Sequence, residues 1–275
     1  MESEADVQTT IDDIVRDMEN KGRVLVAFSG GVDSSVVAAL AFRALGENAL
    51  AVTADSETLG EGELEVAKDV AKEIGISHVV VDFSELSDRD FAKNPPERCY
   101  FCRNSLYKEL KKLADIHGIL CMADGTNASD PEGHRPGLKS IKENDIYTPL
   151  LDYGVKKPQV RAIARELNLS THDKPSMACL SSRIPYWESI TPEKLRAVEL
   201  AENALNELGF IGCRVRNHSG IARIEVSIED FLKLIDVKYE LIKKLKDAGF
   251  SYVTLDLEGF RSGSMDEVLD MTGSQ

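Results

Sequence analysis

Apolar residues in the first two thirds of the chain fall into short continuous runs separated by amphipathic stretches. The runs are rich in Val, Ala and Leu and predict buried strands at 24–28, 50–53, 78–83 and 119–123. Between them, the sequence predicts helices at 11–20, 61–74, 104–117 and 158–169, and the continuous apolar run at 36–42 is long enough for a buried helix. Strands that alternate with helices in this way predict a parallel sheet covered on both faces, which is an α/β fold.

The pattern changes in the last third of the chain, where polar and apolar residues alternate in shorter runs. It predicts the order helix, strand, strand, helix, strand at 191–208, 213–218, 222–226, 229–248 and 252–257. This order is typical of a small α+β domain with an antiparallel hairpin. We therefore expect two domains, residues 1–184 and residues 185–275. Between these elements, 125–150 and 170–190 carry no regular pattern and are predicted to be irregular loops, which are often functional when long.

The junction between the first strand and the next helix reads Ser-Gly-Gly-Val-Asp-Ser-Ser at 29–35. Gly30 and Gly31 can adopt backbone angles that let an anion approach closely, and the helix start directs free N–H groups toward that anion. No lysine occurs between Arg23 and Lys68, so the loop is not a Walker A motif, which requires a lysine for the β and γ phosphates. The junction predicts a phosphate site, with an ordinary tight turn as the alternative.

Other polar residues follow the predicted strands at the same edge of the sheet. The segment 124–130 reads Asp-Gly-Thr-Asn-Ala-Ser-Asp after the fourth strand, and Thr53 ends the second. Because ligands of parallel α/β sheets bind at the carboxyl ends of the strands, these residues are candidates for the same site. Asp33 either holds Mg²⁺ that bridges phosphates or only neutralises the helix start.

Composition and charge exclude several classes of function. Hydrophobic residues make up 43% of the 275 residues and charged residues 29%, as in ordinary globular proteins. The formal net charge is −14, and acidic residues outnumber basic ones in both predicted domains, so a broad nucleic-acid surface is not expected. No apolar run reaches membrane-spanning length, and the acidic N-terminus lacks a signal-peptide pattern. We therefore expect a cytoplasmic protein that binds neither nucleic acid nor membrane.

Two of the five cysteines form a Cys-x-x-Cys motif, Cys99 and Cys102, just before a predicted helix. Alone, the motif fits a zinc site, a redox pair, an iron–sulfur site or chance. The helix start and the flanking Arg98 and Arg103 favour thiolates, and Cys179, in another irregular segment, is the obvious third ligand. The other two cysteines are expected to pack as small hydrophobic residues: Cys121 and Cys213.

Arg214 and Arg216 lie two positions apart on a predicted strand and therefore share one face. Two adjacent guanidinium groups can clamp a phosphate or a carboxylate. The alternative is a solvated strand face on which they pair with nearby acids, for which Glu202 and Glu225 are the candidates.

Together these segments resemble the LarE family of pyrophosphate-loop ATP pyrophosphatases. The resemblance rests on five stretches that span nearly the whole chain: 29–35, 94–103, 175–183, 214–226 and 257–265. It implies an adenine-nucleotide α-hydrolase-like domain followed by a small sulfur-transfer domain, and a hexameric assembly. It also implies an ATP-dependent sulfur transferase that makes a pyridinium bis-thiocarboxylate mononucleotide, the precursor of the nickel-pincer cofactor of lactate racemase.

The resemblance also implies roles for individual residues. The residues implied to bind ATP and Mg²⁺ are Ala27, Phe28, Ser29, Gly30, Gly31, Asp33, Ser34, Ser35, Thr53, Arg103, Gly125, Thr126 and Asn127. Arg214, Arg216 and Glu225 would bind the substrate mononucleotide, and Cys179 and Glu202 would be catalytic. Family members with three such cysteines hold a 4Fe-4S cluster, so Cys99, Cys102 and Cys179 are predicted to be its ligands.

Four other interpretations stay open at this point. Cys179 could be a sacrificial sulfur donor that becomes dehydroalanine, as in other family members. The chain could instead be a tRNA thiolase, a regulator that binds nucleotide without catalysis, or a protein with a structural zinc at the Cys-x-x-Cys motif. The expected partners are the small mononucleotide substrate, sulfide or another sulfur donor, and other proteins of nickel-pincer cofactor biosynthesis.

Overall fold

The elements of the fold come from a computed structural model, which describes residues 4–130, 136–175, 178–261, 263–267 and 269. The helices are α1 (Glu4–Glu19), α2 (Val32–Leu45), α3 (Glu63–Ile74), α4 (Arg89–Ala92), α5 (Arg98–Ile116), α6 (Gly137–Glu143), α7 (Pro149–Asp152), α8 (Lys157–Glu166), α9 (Pro192–Glu207), α10 (Phe231–Asp236) and α11 (Lys238–Asp247). The strands are β1 (Val24–Ala27), β2 (Ala49–Asp55), β3 (Ser77–Asp82), β4 (Cys121–Ala123), β5 (Arg214–His218), β6 (Ile221–Glu225) and β7 (Tyr252–Leu255). None of the helices among these described residues is long and apolar enough to cross a membrane.

The chain divides into two compact units. The first comprises residues 1–84 and 99–177, and the second comprises 85–98 and 178–275. The predicted ranges, 1–184 and 185–275, differ from these units mainly at 85–98. Asn94 anchors that segment in the second unit, because its buried side-chain amide donates to the carbonyls of Ile184 (3.0 Å) and Pro185 (2.7 Å).

Parallel strands form the sheet of the first unit, which confirms the predicted α/β class. Within the described residues the strand order is β3-β2-β1-β4. The chain moves outward from β1 to β2 and β3 and then returns to the other side of β1 for β4. The carboxyl ends of β1 and β4 therefore flank the point where the strand order reverses, which is where open α/β sheets form their ligand crevice.

Side chains of β1 alternate between the two faces of this sheet, as the strand period requires. Val24 and Val26 belong to an apolar core that includes residues of α1, α2 and α8. Leu25 belongs to a second core, together with Tyr107 and other residues of α5. Burial on both faces explains why this strand reads as a continuous apolar run.

The prediction of an irregular loop at 125–150 is wrong in part, since α6 lies within it and α7 begins in it. The seven residues of α6 make only two turns, too few for a periodic pattern to appear in the sequence. Gly137 begins this helix because the chain there lies against α5, where an added Cβ would be 2.9 Å from Cδ of Arg103. A glycine that normally indicates a loop here permits close packing.

The second unit has the predicted antiparallel hairpin, β5 with β6, and β7 adds to it in parallel. The single helix predicted at 229–248 is wrong, because it is divided into α10 and α11. Val237 separates the two, with φ −95° and ψ 8° in place of helical angles. The apolar spacing continues across it, since Leu234 and Leu241 are both buried and seven residues apart, so the sequence pattern does not reveal the break.

Candidate functional site

The loop at 29–35 is held in a fixed shape by its own side chains and by α3. Gly30 has φ +68°, and a Cβ on it would lie 2.7 Å from Cα of Ala67, so only glycine fits against that helix. The Oγ atoms of Ser29 and Ser34 are 3.1 Å apart, and the hydroxyl of Ser35 donates to the carbonyl of Gly31 at 2.8 Å. The predicted strand–loop–helix junction is therefore present, with the start of α2 at its end.

The loop after β4 lies directly against the first turn of α2. A Cβ on Gly125 would be 2.7 Å from the backbone nitrogen of Ser34 and 2.9 Å from the carbonyl carbon of Asp33. Thr126 is buried, and its hydroxyl accepts from Nη1 of Arg103 at 3.2 Å. Two predicted groups from distant parts of the sequence thus meet at the carboxyl ends of β1 and β4.

Asp33 is bound on both carboxylate oxygens. Oδ1 accepts from the side-chain amide of Asn127 at 3.0 Å, and Oδ2 accepts from the ammonium group of Lys157 at the start of α8. Asn127 was predicted to belong to the site, whereas Lys157 was not. Its position, 124 residues away in sequence, carries no motif that identifies it.

A second lysine, Lys174, also reaches the loop. Its Nζ lies 3.3 Å from the carbonyl of Gly30 and 2.8 Å from Oε2 of Glu63, and both partners of that ion pair are mostly buried. Arg161 fixes the backbone there by donating to the carbonyls of His172 and Lys174 at 2.6 and 2.9 Å. The loop that lacks a lysine in its own sequence therefore has two nearby, on other segments.

Thr53 links the ends of β1 and β2. Its hydroxyl donates to the carbonyl of Phe28 at 2.7 Å and lies 2.8 Å from Nε2 of His78, which packs edge to face on the Phe28 ring. Burial, and after it the nearby Lys68 charge, lower the pKa of His78. The neutral imidazole is therefore the stable form in this position.

A cavity of about 410 Å³ opens farther along the same edge of the sheet, at the carboxyl ends of β2 and β3. Its lining residues are Asp55, Ser56, Glu57, Asp82, Phe83 and Ser84. Carboxylates and hydroxyls in such a place are suited to accept hydrogen bonds from the hydroxyls or amino group of a nucleoside. Residues 55–57 and 82–84 are therefore additions to the predicted set.

In the second unit, Glu202 and Arg183 form a buried bidentate ion pair. Nε and Nη2 of Arg183 donate to the two oxygens of Glu202, each at 3.0 Å, and only 1% of Arg183 is exposed. Glu202 also accepts from the backbone nitrogen of Val215 at 3.0 Å. Its partner is thus Arg183, and not one of the two strand arginines, Arg214 and Arg216, with which the sequence suggested a pair.

The two predicted substrate arginines differ in their partners. Arg216 is buried, and its Nη2 donates to Oε2 of Glu225 at 2.7 Å. Arg214 donates to the carbonyl of Cys213 at 2.7 Å and lies over the Phe260 ring. Burial lowers the pKa of Arg214, and the Arg183 charge adds to this effect. An anion placed here would relieve that repulsion.

The cysteines are all thiols, not disulfides. Cys99 is exposed and Cys102 half-buried, three positions apart at the start of α5, and Cys179 is exposed in the second unit. Within the described residues, no group of three or more His, Cys, Asp or Glu side chains is gathered so that it could hold a metal ion. Two of the three predicted ligands belong to the first unit and the third to the second, so the three-cysteine set stays a prediction.

The remaining cysteines pack as predicted. Cys213 is buried, and desolvation followed by the nearby Glu202 raises its pKa to about 12. Cys121 packs half-buried against the core of the first unit, and burial raises its pKa too. Both thiols are therefore in the protonated, unreactive form at neutral pH.

Comparisons with known proteins identify the relatives of this chain. Residues 6–102 match the asparagine synthase family model. An uncharacterized protein of Synechocystis is 44% identical over 90% of this chain and 93% of its own length. The pyridinium-3,5-bisthiocarboxylic acid mononucleotide synthase of Lactiplantibacillus plantarum is 38% identical over 93% of both chains. An uncharacterized protein of Methanocaldococcus jannaschii is 32% identical over 87% of this chain and 91% of its own length.

Proposed function

The chain belongs to the family of the pyridinium-3,5-bisthiocarboxylic acid mononucleotide synthase, and on that premise we propose that it makes this bis-thiocarboxylate from the corresponding biscarboxylate mononucleotide. The reaction uses ATP to activate each carboxylate and then replaces the activated oxygen by sulfur. The observation that carries the proposal is the loop at 29–35, with its helix start and two lysines.

Activation is needed because a carboxylate has no acceptable leaving group. Attack of a carboxylate oxygen on the α-phosphorus of ATP breaks the bond to the β-phosphate and gives an acyl-adenylate and pyrophosphate. A sulfur nucleophile then attacks the acyl carbon and expels AMP. The first unit supports the first step, since backbone N–H groups and the cations of Lys157 and Lys174 can stabilise charge that develops on pyrophosphate.

Mg²⁺ would neutralise phosphate charge when it is bound, and it prefers oxygen ligands. Asp33 is the carboxylate within the loop that offers such oxygens. Its two oxygens are engaged by Asn127 and Lys157, so Lys157 has to move to the phosphates when the ion binds. We propose this exchange of partners as the response of the site to Mg²⁺ and ATP together.

The substrate mononucleotide has a phosphate, and we propose that Arg214 and Arg216 bind it. Arg214 is the better candidate for direct contact, because its guanidinium donates to a backbone carbonyl, whereas that of Arg216 is bound by a carboxylate. Arg216 is held by Glu225, which supports a role for Glu225 in orienting that guanidinium. Charge neutralisation by two arginines is typical of phosphate recognition.

For the sulfur source we propose that Cys99, Cys102 and Cys179 are ligands of a 4Fe-4S cluster, which would present a bound sulfide for transfer. Thiolates are the ligands that such clusters require, and the resemblance to three-cysteine family members supports the proposal. The three residues are divided between the two units, and we derive no catalytic step through the cluster. Glu202 stays a predicted site residue.

The test is anaerobic purification followed by iron and sulfide analysis and an assay of ATP-dependent thiocarboxylate formation. We expect iron and sulfide in the wild type, loss of both in Cys99→Ala, and retention in Cys121→Ala, the control outside the set. Protein without iron whose Cys179 loses the elements of H₂S after one turnover, measured by intact mass, would show the sacrificial mechanism. AMP and pyrophosphate formation with no sulfur in the mononucleotide would disprove the proposed function.

Assembly and context follow from the same family membership. We propose a cytoplasmic homohexamer that acts with other proteins of nickel-pincer cofactor biosynthesis. Light scattering coupled to size-exclusion chromatography tests the assembly.

A further inference from the structure

Cys179 lies in a turn whose backbone is held by one buried side chain. Nη1 of Arg183 donates to the carbonyl of Ala178 at 2.6 Å, to the carbonyl of Cys179 at 3.0 Å and to the hydroxyl of Ser182 at 3.0 Å. A single nitrogen thus contacts the peptide units on both sides of the Cys179 Cα. The turn is closed by the backbone nitrogen of Ser182, which donates to the Cys179 carbonyl at 3.0 Å.

The other two nitrogens of the same guanidinium are bound by Glu202 on α9. This ion pair orients the planar group, because a bidentate carboxylate permits only one arrangement of the fork. Glu202 is fixed in turn by the backbone nitrogen of Val215 at the start of the hairpin. The chain of contacts runs from a helix and a strand, through one guanidinium, to the backbone of an exposed cysteine.

Glu202 therefore has no oxygen directed at a reacting group in this arrangement, since both are engaged by Arg183 and one also by Val215. Proton transfer by Glu202 would first require loss of a buried bidentate ion pair, which is energetically expensive. The geometry instead suits a rigid support for the Cys179 turn. The Cys179 sulfur itself lies 2.8 Å from the hydroxyl of Ser181, a buried residue of the same turn.

We infer that Arg183 and Glu202 are positioning residues that fix the backbone of Cys179, and that neither takes part in proton transfer. The inference rests on the proposed function only where it relates this positioning to sulfur transfer. The contacts themselves do not depend on the proposed function. A displacement of about 1 Å at a reacting group can cost on the order of 100-fold in rate. The turn thus has to be held by more than its own short-range hydrogen bonds.

The decisive variant is Arg183→Lys. Lysine keeps the buried positive charge beside Glu202 but cannot bind a carboxylate with two nitrogens and two carbonyls with a third. We expect amide hydrogen exchange in the peptide 178–184 to be about tenfold faster than in the wild type, because the turn opens locally. Exchange in β6 of the same unit should change less than about twofold. Glu207→Gln on α9, which breaks an exposed ion pair with Lys244, is the matched control.

Exchange at 178–184 that equals the wild-type rate in folded Arg183→Lys would overturn the inference. This measurement uses the protein alone, without ATP or mononucleotide, so it decides the inference even if the proposed function fails. Glu202→Gln provides the second test, and if that variant does not fold, Arg183→Lys alone decides.

A kinetic measurement then separates positioning from a general structural role. In Arg183→Lys and in Glu202→Gln we expect the kcat for thiocarboxylate formation to fall about 100-fold. The Kd for ATP and the single-turnover rate of pyrophosphate release should stay within about twofold of wild type, because the first unit is unaltered. Equal losses in the single-turnover rate of pyrophosphate release and in thiocarboxylate formation would contradict the inference.

Discussion

Lys157 contacts the loop at 29–35 in the structure, although no sequence motif indicates it. It binds Asp33 in the loop, where a phosphate would compete for the same ammonium group. We predict that Lys157→Met lowers kcat/KM for ATP about 10- to 100-fold, the worth of one charge-assisted hydrogen bond. Steady-state pyrophosphate release measures this. Lys156→Met, at the neighbouring exposed position, should behave as wild type, and an unchanged Lys157→Met would assign Lys157 to the support of Asp33 alone.

We expect His78, which lies beside Thr53, to make the stability of the protein depend on pH. Its pKa in the folded protein is below the ordinary 6.5, so the unfolded chain binds the proton more readily. The contribution of neutral His78 to stability is complete above about pH 6.5 and is lost as the pH falls from there toward the lower folded pKa. In thermal unfolding we predict that His78→Gln, which can still donate to Thr53, loses less stability than wild type between about pH 7 and pH 5. His117→Gln, at an exposed position, should follow the wild-type curve.

At the residue scale, local motifs are what allow the sequence to predict candidate site residues. Gly30, Gly125 and Asn127 stand in recognisable loops, and the structure brings their loops together. Lys157 and Lys174 contact the loop at 29–35 although they lie 124 and 144 residues from their partners in the sequence. In a sequence, a single lysine on a helix or loop is normally interpreted as a solvated charge. These two lysines reach the loop because α8 and the segment 170–174 pack beside α2.

At the scale of elements, the site depends on how closely the loop after β4 approaches α2. We predict that Gly125→Ala destabilises the protein by about 2 kcal/mol, because its Cβ would meet backbone atoms that cannot rotate away. ATP-dependent pyrophosphate release should fall with it, since the start of α2 has to shift. Gly60→Ala is the matched control, because its nearest contact would be an ordinary 3.8 Å to a side-chain carbon of Glu63. Equal stability of the two variants in denaturant titrations would contradict this account.

Hydrophobic periodicity predicts the long helices and strands well. It fails for elements of only a few residues and for boundaries that one or two residues determine. The alternation of buried strands and amphipathic helices is sufficient to predict the parallel sheet. It misses α6, which has only two turns, and the separation of α10 from α11, which a single residue, Val237, brings about. Segment 85–98 belongs to the second unit through the polar contacts of Asn94, which no hydrophobic pattern records.

At the scale of the whole molecule, the residues proposed for carboxylate activation and Cys179 lie in different units, although the other two proposed cluster ligands, Cys99 and Cys102, lie in the first. The loop, Asp33 and the two lysines belong to the first unit, whereas Cys179, Arg183 and the substrate arginines belong to the second. The chain carries a net charge of −14. Lys157, Lys174, Arg183 and Arg214 are at least partly removed from water, and cations in such positions interact more strongly with anions than exposed ones do. Activation and sulfur delivery should therefore be separable by mutation.

Cys179→Ala tests that division. We predict that it abolishes thiocarboxylate formation, since both proposed sulfur sources require this thiol, and leaves the single-turnover rate of mononucleotide-dependent pyrophosphate release within about twofold of wild type. Lys157→Met should lower both products together, because sulfur transfer has to await the adenylate. Cys121→Ala, which removes a thiol outside the site, should lower neither. If Cys179→Ala also abolished pyrophosphate release under single-turnover conditions, the thiol would be needed for activation itself, and the separation of the two steps between the units would be wrong.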